Sequence, residues 1–143
     1  MQVSRSEPKA SEDQQEGRRL VVLLIDDEPR ILSALVRALR REGYELLCAD
    51  RPAEALRIVE EKAIDCVVSD YKMPAITGLE LIERIAKRRP HAARLLITGW
   101  NSEVDRGELE RLGVHAVIPK PWDDSELKRV LRKAMGLAEP GLD

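Results

Sequence analysis

The sequence predicts an α/β fold, a doubly wound (βα)5 arrangement in which helices cover both faces of a parallel five-stranded sheet. Strand and helix patterns alternate five times between Leu20 and Met135, and such alternation is typical of a parallel sheet. The run from Leu20 to Ile25 is apolar throughout, as expected for a strand that is buried on both faces. Right-handed crossovers between the strands then favour the order 2-1-3-4-5.

Local patterns predict the individual elements. Aliphatic and β-branched runs indicate five strands, at residues 20–25, 44–49, 65–69, 92–98 and 115–118. Apolar residues at helical spacing indicate helices that start near Pro29, at 53–62, around 79–86, at 102–112 and after Asp123,. Gly107 lies in the middle of the fourth predicted helix and should weaken it. Asp123 and Glu126 have the spacing of a capping box ahead of the fifth helix.

Composition excludes two classes of partner. The chain has 143 residues and a formal net charge of −2, so it lacks the basic surface that nucleic-acid binding needs. Its longest apolar run, at residues 20–25, is too short to cross a membrane. We therefore expect no direct contact with nucleic acid or membrane, and a cytoplasmic protein.

The chain divides into one folded domain and two tails. Residues 1–19 are polar without hydrophobic periodicity and predict a disordered N-terminal tail. Residues 20–136 form the domain, and residues 137–143 form a C-terminal tail. Cys48 and Cys66 lie in apolar stretches without a CxxC spacing, so we expect both to be small buried side chains.

Three carboxylates follow strands that this order places side by side. Asp26 and Asp27 end the first strand, and Asp70 ends the third. Ligands bind at the carboxyl ends of such strands, and close carboxylates repel unless a cation is present. A hard divalent ion, Mg²⁺ or Mn²⁺, is the natural partner. Thr98 and Lys120 add a hydroxyl and an ammonium at the same edge, a set that suits an aspartyl-phosphate site.

These motifs resemble the receiver domain of two-component response regulators, which has a flavodoxin-like fold. The matching pieces are Asp26-Asp27, Asp70-Tyr71-Lys72-Met73-Pro74 with Gly78 downstream, Thr98-Gly99 and Lys120-Pro121. The resemblance implies that Asp70 accepts a phosphoryl group in a Mg²⁺-dependent reaction. It also implies that Asp26, Asp27, Asp70 and the Tyr71 backbone carbonyl bind the ion. Thr98 and Lys120 would contact the phosphoryl group.

The same resemblance implies a signalling role, in which the domain catalyses only its own phosphorylation and dephosphorylation and switches a partner-binding surface. The implied partners are a sensor histidine kinase or phosphotransfer protein and a downstream effector domain or protein. A homodimer would use the face of the fourth helix, fifth strand and fifth helix. Lys72 and Trp100 occupy positions that tune the lifetime of the phosphoryl group in the family. Val117 departs from the family, which often carries Tyr or Phe three residues before its lysine, so the usual aromatic relay is in doubt.

Two alternatives use the same residues differently. A haloacid-dehalogenase-like phosphatase also has a strand-one aspartate with a downstream threonine and lysine, but it needs a second aspartate two residues after the nucleophile. Glu28 stands at that spacing from Asp26. The other alternative is a degenerate receiver that binds partners without taking phosphate, and the complete acidic set argues against it.

Overall fold

The computed structural model of the chain describes residues 18–99 and 104–137. Within them, five parallel strands form one sheet in the order 2-1-3-4-5, which confirms the predicted topology. The strands are β1 (Val21–Ile25), β2 (Glu45–Ala49), β3 (Cys66–Asp70), β4 (Ala93–Gly99) and β5 (Ala116–Lys120). The helices are α1 (Pro29–Leu39), α2 (Pro52–Glu61), α3 (Gly78–Arg88), α4 (Arg106–Arg111) and α5 (Asp124–Ala134).

Two apolar layers enclose the sheet, because alternate residues of each strand point to opposite faces. Leu23, Val67 and Leu96 face the layer that α2 and α3 cover. Val22, Val68 and Leu95 face the layer that α1 and α5 cover. With both faces covered, the strand ends remain the accessible parts of the sheet, and the carboxyl ends carry the predicted site.

The boundaries of β5 and α4 differ from the sequence prediction by two residues or more. β5 continues to Lys120, two residues beyond its predicted end, because an edge strand tolerates a proline such as Pro119,. α4 starts at Arg106 instead of Ser102, which lies outside the described residues. Gly107 is therefore the second residue of α4, not its middle, and its N–H donates to Asp105 Oδ1 at 2.8 Å.

Helix caps were only partly predicted. Thr77 and Glu80 form a complete capping box at the start of α3, which the sequence analysis missed. At α5, Asp123 Oδ2 accepts a hydrogen bond from the Glu126 N–H at 3.0 Å. The described contacts do not include the reciprocal bond, from the Asp123 N–H to the Glu126 carboxylate, so the predicted box is half formed.

The prediction that both cysteines are buried is wrong for Cys48. Cys66 lies in the central strand β3 and is fully buried, whereas Cys48 is exposed on β2. β2 is an edge strand, so its side chains are less completely covered than those of β3. Burial raises the pKa of the Cys66 thiol, and the nearby Asp65 carboxylate adds to this effect.

Most of the two predicted tails, residues 1–17 and 138–143, lies outside the described residues. Arg18, assigned to the N-terminal tail, pairs with Asp65 at 3.0 and 3.2 Å. Arg19 donates to the Tyr44 carbonyl at 3.0 Å. Across residues 18–99 and 104–137, no helix combines the length and apolar character needed to span a membrane.

Candidate functional site

Asp26 and Asp27 follow β1 directly, yet they have different surroundings. Asp26 is completely buried, and its Oδ1 accepts a hydrogen bond from the Glu28 N–H at 2.9 Å. Asp27 is exposed. The loop thus holds one carboxylate in a fixed orientation and presents the other to solvent.

Lys120 joins the ends of three strands. It is the last residue of β5, and its Nζ lies 3.0 Å from Asp26 Oδ2 and 3.2 Å from Asp70 Oδ1. Asp70 ends β3 and is 6% exposed. The peptide bond from Lys120 to Pro121 is cis. A single ammonium therefore lies between two buried carboxylates that are far apart in sequence.

The pKa values of these groups reflect burial first and charge second. Burial raises the pKa of Asp26, and bonding to the Glu28 N–H and to Lys120 opposes the rise. Burial and the charge of Asp26 raise the pKa of Asp70, and the positive charge of Lys120 opposes this rise as well. Burial lowers the pKa of Lys120, but the two carboxylates outweigh it, and the net shift is upward. The cluster favours the lysine as a cation and has one positive charge for three carboxylates.

The donor set fits a hard divalent cation. Asp26, Asp27 and Asp70 each offer a carboxylate oxygen, and these atoms all lie within 4.8 Å of one another. Asp26 Oδ2 is buried and lies 3.0 Å from Lys120 Nζ, and this single cation leaves the three-carboxylate cluster with an excess of negative charge. A cluster of carboxylate oxygens with an excess of negative charge is the environment that Mg²⁺ prefers.

The backbone carbonyl of Tyr71, which was expected to bind the ion, already accepts a hydrogen bond within the protein. The Tyr71 carbonyl accepts a hydrogen bond from the Gly78 N–H at 2.7 Å, which fixes the start of α3. Its oxygen is therefore already partly engaged. The next carbonyl along the loop, that of Lys72, accepts no hydrogen bond among the described residues and is the alternative main-chain ligand.

The remaining predicted residues lie at varied positions. Thr98 is buried on β4, one residue beyond the partner of Asp70 in the sheet. Lys72 is exposed in the loop after β3. Val117 is 38% exposed on β5, three residues before Lys120. Trp100 lies outside the described residues.

Comparison with known proteins identifies the chain. The family model for the response regulator receiver domain matches residues 22–132. The chain belongs to this family. Phosphorylation-activated signalling in two-component systems is the family's function, and receiver domains bind Mg²⁺ through an acidic pocket.

Curated relatives support the assignment of the domain. The transcriptional regulatory protein GlrR of Escherichia coli is 31% identical over 122 residues, which are 85% of this chain and 28% of GlrR. The DNA-binding transcriptional regulator NtrC of a Bradyrhizobium strain is 32% identical over 119 residues, 83% of this chain and 24% of that protein. This receiver thus spans about a quarter of the length of these two relatives.

Solved structures show the same fold over nearly their whole length. A receiver domain from Clostridium thermocellum has a TM-score of 0.75 at 31% identity, covering 82% of this chain and 94% of its own. A signal receiver domain of an HD domain-containing protein from Pseudomonas fluorescens has a TM-score of 0.75 at 31% identity, covering 83% and 96%.

Family membership removes the basis for the phosphatase alternative. That reading needed a second catalytic carboxylate at Glu28, but this side chain is exposed, and its backbone N–H supports Asp26 instead. The degenerate-receiver alternative differs only in that Asp70 would accept no phosphoryl group, so a phosphorylation experiment decides it.

Proposed function

We propose that this domain accepts a phosphoryl group on Asp70 and signals through the resulting change of surface. The observation that carries the proposal is the position of Lys120 Nζ between Asp26 and Asp70, at 3.0 and 3.2 Å. This arrangement leaves Asp70 at the carboxyl edge of the sheet with a cation beside it. A carboxylate in that position can act as a nucleophile toward phosphorus.

The proposed reaction first transfers a phosphoryl group from a donor to Asp70. An oxygen of the Asp70 carboxylate forms a bond to phosphorus, while the bond from phosphorus to the donor's nitrogen or oxygen breaks. The leaving group keeps the bonding electron pair and takes up a proton. Hydrolysis of the acyl phosphate by water later restores the carboxylate, so the domain catalyses its own phosphorylation and dephosphorylation.

Asp26, Asp27 and Asp70 would hold the divalent ion, with a main-chain carbonyl from Tyr71 or Lys72. When bound, Mg²⁺ or Mn²⁺ supplies positive charge that offsets the carboxylates and the phosphoryl oxygens. Asp26, fixed by the Glu28 N–H, orients the acidic set. Because the Lys72 carbonyl accepts no hydrogen bond among the described residues, we favour it over the carbonyl of Tyr71.

Lys120 and Thr98 are the proposed contacts to the phosphoryl group once it is attached. The ammonium of Lys120 is already directed at Asp70, and phosphorylation would exchange one carboxylate charge for a more strongly charged group. Thr98 would donate its hydroxyl from the end of β4. Lys72 and Trp100, each two residues beyond a site residue, would control access of water and hence the lifetime of the acyl phosphate.

The readout is proposed to use α4, β5 and α5. Val117 replaces the ring that the family often carries, so little aromatic volume can follow Thr98 inward. α4 has six residues, and none of them is buried, which supports movement of this helix as the alternative relay. The same face would hold an effector or a second copy of this chain as a homodimer.

We propose that this domain acts in the cytoplasm, with a sensor histidine kinase or phosphotransfer protein as its upstream partner and an effector domain or protein as its downstream partner. The relatives do not favour one output. GlrR and NtrC are described as transcriptional regulators, whereas the Pseudomonas receiver comes from an HD domain-containing protein.

Phosphorylation by a small donor tests the proposal. We expect acetyl phosphate to add one phosphoryl mass in the presence of Mg²⁺ or Mn²⁺ and none when EDTA is present. Asp70→Ala should abolish the mass gain. Asp50→Ala is the matched control, because Asp50 is an exposed aspartate that directly follows β2, and it should be labelled normally. Labelling that persists in Asp70→Ala would overturn the assignment, and an unlabelled wild type would favour the degenerate receiver.

A further inference from the structure

Ser69 is a buried polar residue that the proposed chemistry does not yet use. It precedes Asp70 on β3 and is 0% exposed. Its neighbours in the sheet are Ile25 on β1 and Leu96 on β4, both of which are buried and apolar. A hydroxyl in such a layer costs free energy unless it is hydrogen-bonded. Alanine or valine would satisfy the apolar pattern of this strand equally well.

The hydroxyl has one specific partner. Ser69 Oγ donates to the main-chain carbonyl of Asp70 at 3.0 Å. That carbonyl belongs to the peptide group that links Asp70 to Tyr71, which is also where the strand ends and the loop begins. Holding this peptide group in place restrains the backbone at Asp70, from which the carboxylate side chain projects.

Three other contacts confine the same stretch of backbone. The Tyr71 N–H donates to the Ile97 carbonyl at 2.8 Å, and the Tyr71 carbonyl accepts from the Gly78 N–H at 2.7 Å. A Cβ placed on Gly78 would lie 2.3 Å from the Asp70 carbonyl oxygen, so the first residue of α3 lies directly against it. β4 and α3 therefore hold the residue after Asp70, and Ser69 holds the Asp70 carbonyl itself.

We propose that Ser69 is a positioning residue for phosphorylation, acting through its hydrogen bond to the Asp70 carbonyl. The proposal rests on the proposed role of Asp70 as phosphoacceptor. Without the hydroxyl, the Asp70–Tyr71 peptide group loses one of its restraints, and the carboxylate samples directions away from Lys120 and the donor. Reactions of this type are sensitive to small displacements of the nucleophile.

The test compares three variants in the full chain, with acetyl phosphate and saturating Mg²⁺. We expect Ser69→Ala to lower the maximal rate constant of phosphorylation about tenfold, with little change in the acetyl phosphate concentration that gives half this rate. Ser69→Thr keeps the hydroxyl and should restore the rate to within about twofold of wild type. Val67→Ala is the control, because Val67 is buried on the same face of β3 but lacks the hydrogen bond. It should lower the midpoint of urea unfolding at least as much as Ser69→Ala while keeping the wild-type rate constant.

The outcomes separate this inference from the proposed function. An unlabelled wild type would overturn both proposals. A wild type that is labelled at Asp70 would support the proposed function, and the rates of the variants then decide the role of Ser69. A wild-type rate in Ser69→Ala, or an equal loss of rate in Val67→Ala, would overturn the positioning role. A loss of rate in Ser69→Ala that Ser69→Thr does not restore would also overturn it.

Discussion

α3 and α4 follow β3 and β4, the strands that carry Asp70 and Thr98 near their carboxyl ends, yet the protein holds the two helices very differently. α3 has eleven residues, five of them buried, and a complete capping box at its start. α4 has six residues, none of them buried, and a single capping side chain, Asp105. Both helices pack on the same face of the sheet.

We expect this difference to separate a helix that stays in place, α3, from a helix that can move, α4. α3 carries Gly78, whose close approach to the Asp70 carbonyl requires that the helix stay in place. α4 adjoins the segment that follows Thr98 and gains little burial energy from its present position. Segments with few buried apolar contacts open at low free-energy cost. We therefore expect a modest bias from the site to shift α4, whereas a shift of α3 would require this helix to leave the core.

The largest expected effect comes from truncating each helix's inward side chain. Ile82 on α3 is fully buried, so Ile82→Ala should lower the free energy of unfolding by about 3 kcal/mol. Leu109 on α4 is half-buried, and Leu109→Ala should cost about 1 kcal/mol or less. Urea unfolding measures both. Equal losses would show that α4 contributes to the core as much as α3 does, and would break the distinction.

Glycine substitutions give a second contrast, with effects of opposite sign. In Gly78→Ala the new Cβ would lie 2.3 Å from the Asp70 carbonyl oxygen, so we expect a loss of about 2 kcal/mol together with slower phosphorylation. In Gly107→Ala the nearest atom is Oδ1 of the capping residue Asp105 at 3.3 Å, so this carboxylate needs to give by only a few tenths of an ångström. Higher helix propensity should stabilise α4 by up to about 1 kcal/mol.

Hydrogen exchange provides the readout for the Gly107→Ala variant. We expect slower exchange at residues 106–112 and a smaller difference between the free and phosphorylated protein. Unchanged exchange in this segment would mean that helix propensity does not control its opening. Strong, equal protection in both states of the wild type would argue against α4 as the moving part.

The smallest expected effect is a pH dependence confined to α4. Hydrogen bonds from Arg111 hold the pKa of Glu108 below its ordinary value of 4.5. A lowered pKa means that the ion pair contributes fully above pH 4.5, and the contribution is lost as the pH falls through the lowered value. Exchange at residues 106–112, corrected for intrinsic rates, should rise about twofold on acidification. Glu108→Gln should weaken this pH dependence.

Sequence patterns predicted the sheet because each strand had its own apolar run and each crossover its own helix. They also placed Asp26, Asp70 and Lys120 at one edge, because parallel strands bring their carboxyl ends together. Contacts between residues that are far apart in the chain were harder to predict from these patterns. The role of Lys120 as a bridge between two carboxylates depends on β5 extending two residues further than its apolar run.

Three local signals in the sequence were misjudged. Thr77 and Glu80 have the spacing of a capping box and form it at the start of α3, which the sequence prediction did not include. Gly107 looked like a helix breaker because the start of α4 was placed too early. Ser69 looked like one more small residue of a buried strand, since only the three-dimensional contact shows that its hydroxyl reaches the Asp70 carbonyl.

The unequal burial of the two cysteines makes the protein suited to single-site labelling. Cys66 is sealed in the central strand, whereas Cys48 is open to reagents on β2. A maleimide fluorophore should therefore attach at one position without any substitution. Because β2 and β5 are the opposite edges of the sheet, the dye would lie away from the face of α4, β5 and α5. Partner association at that face could then be followed by fluorescence anisotropy in the wild-type protein.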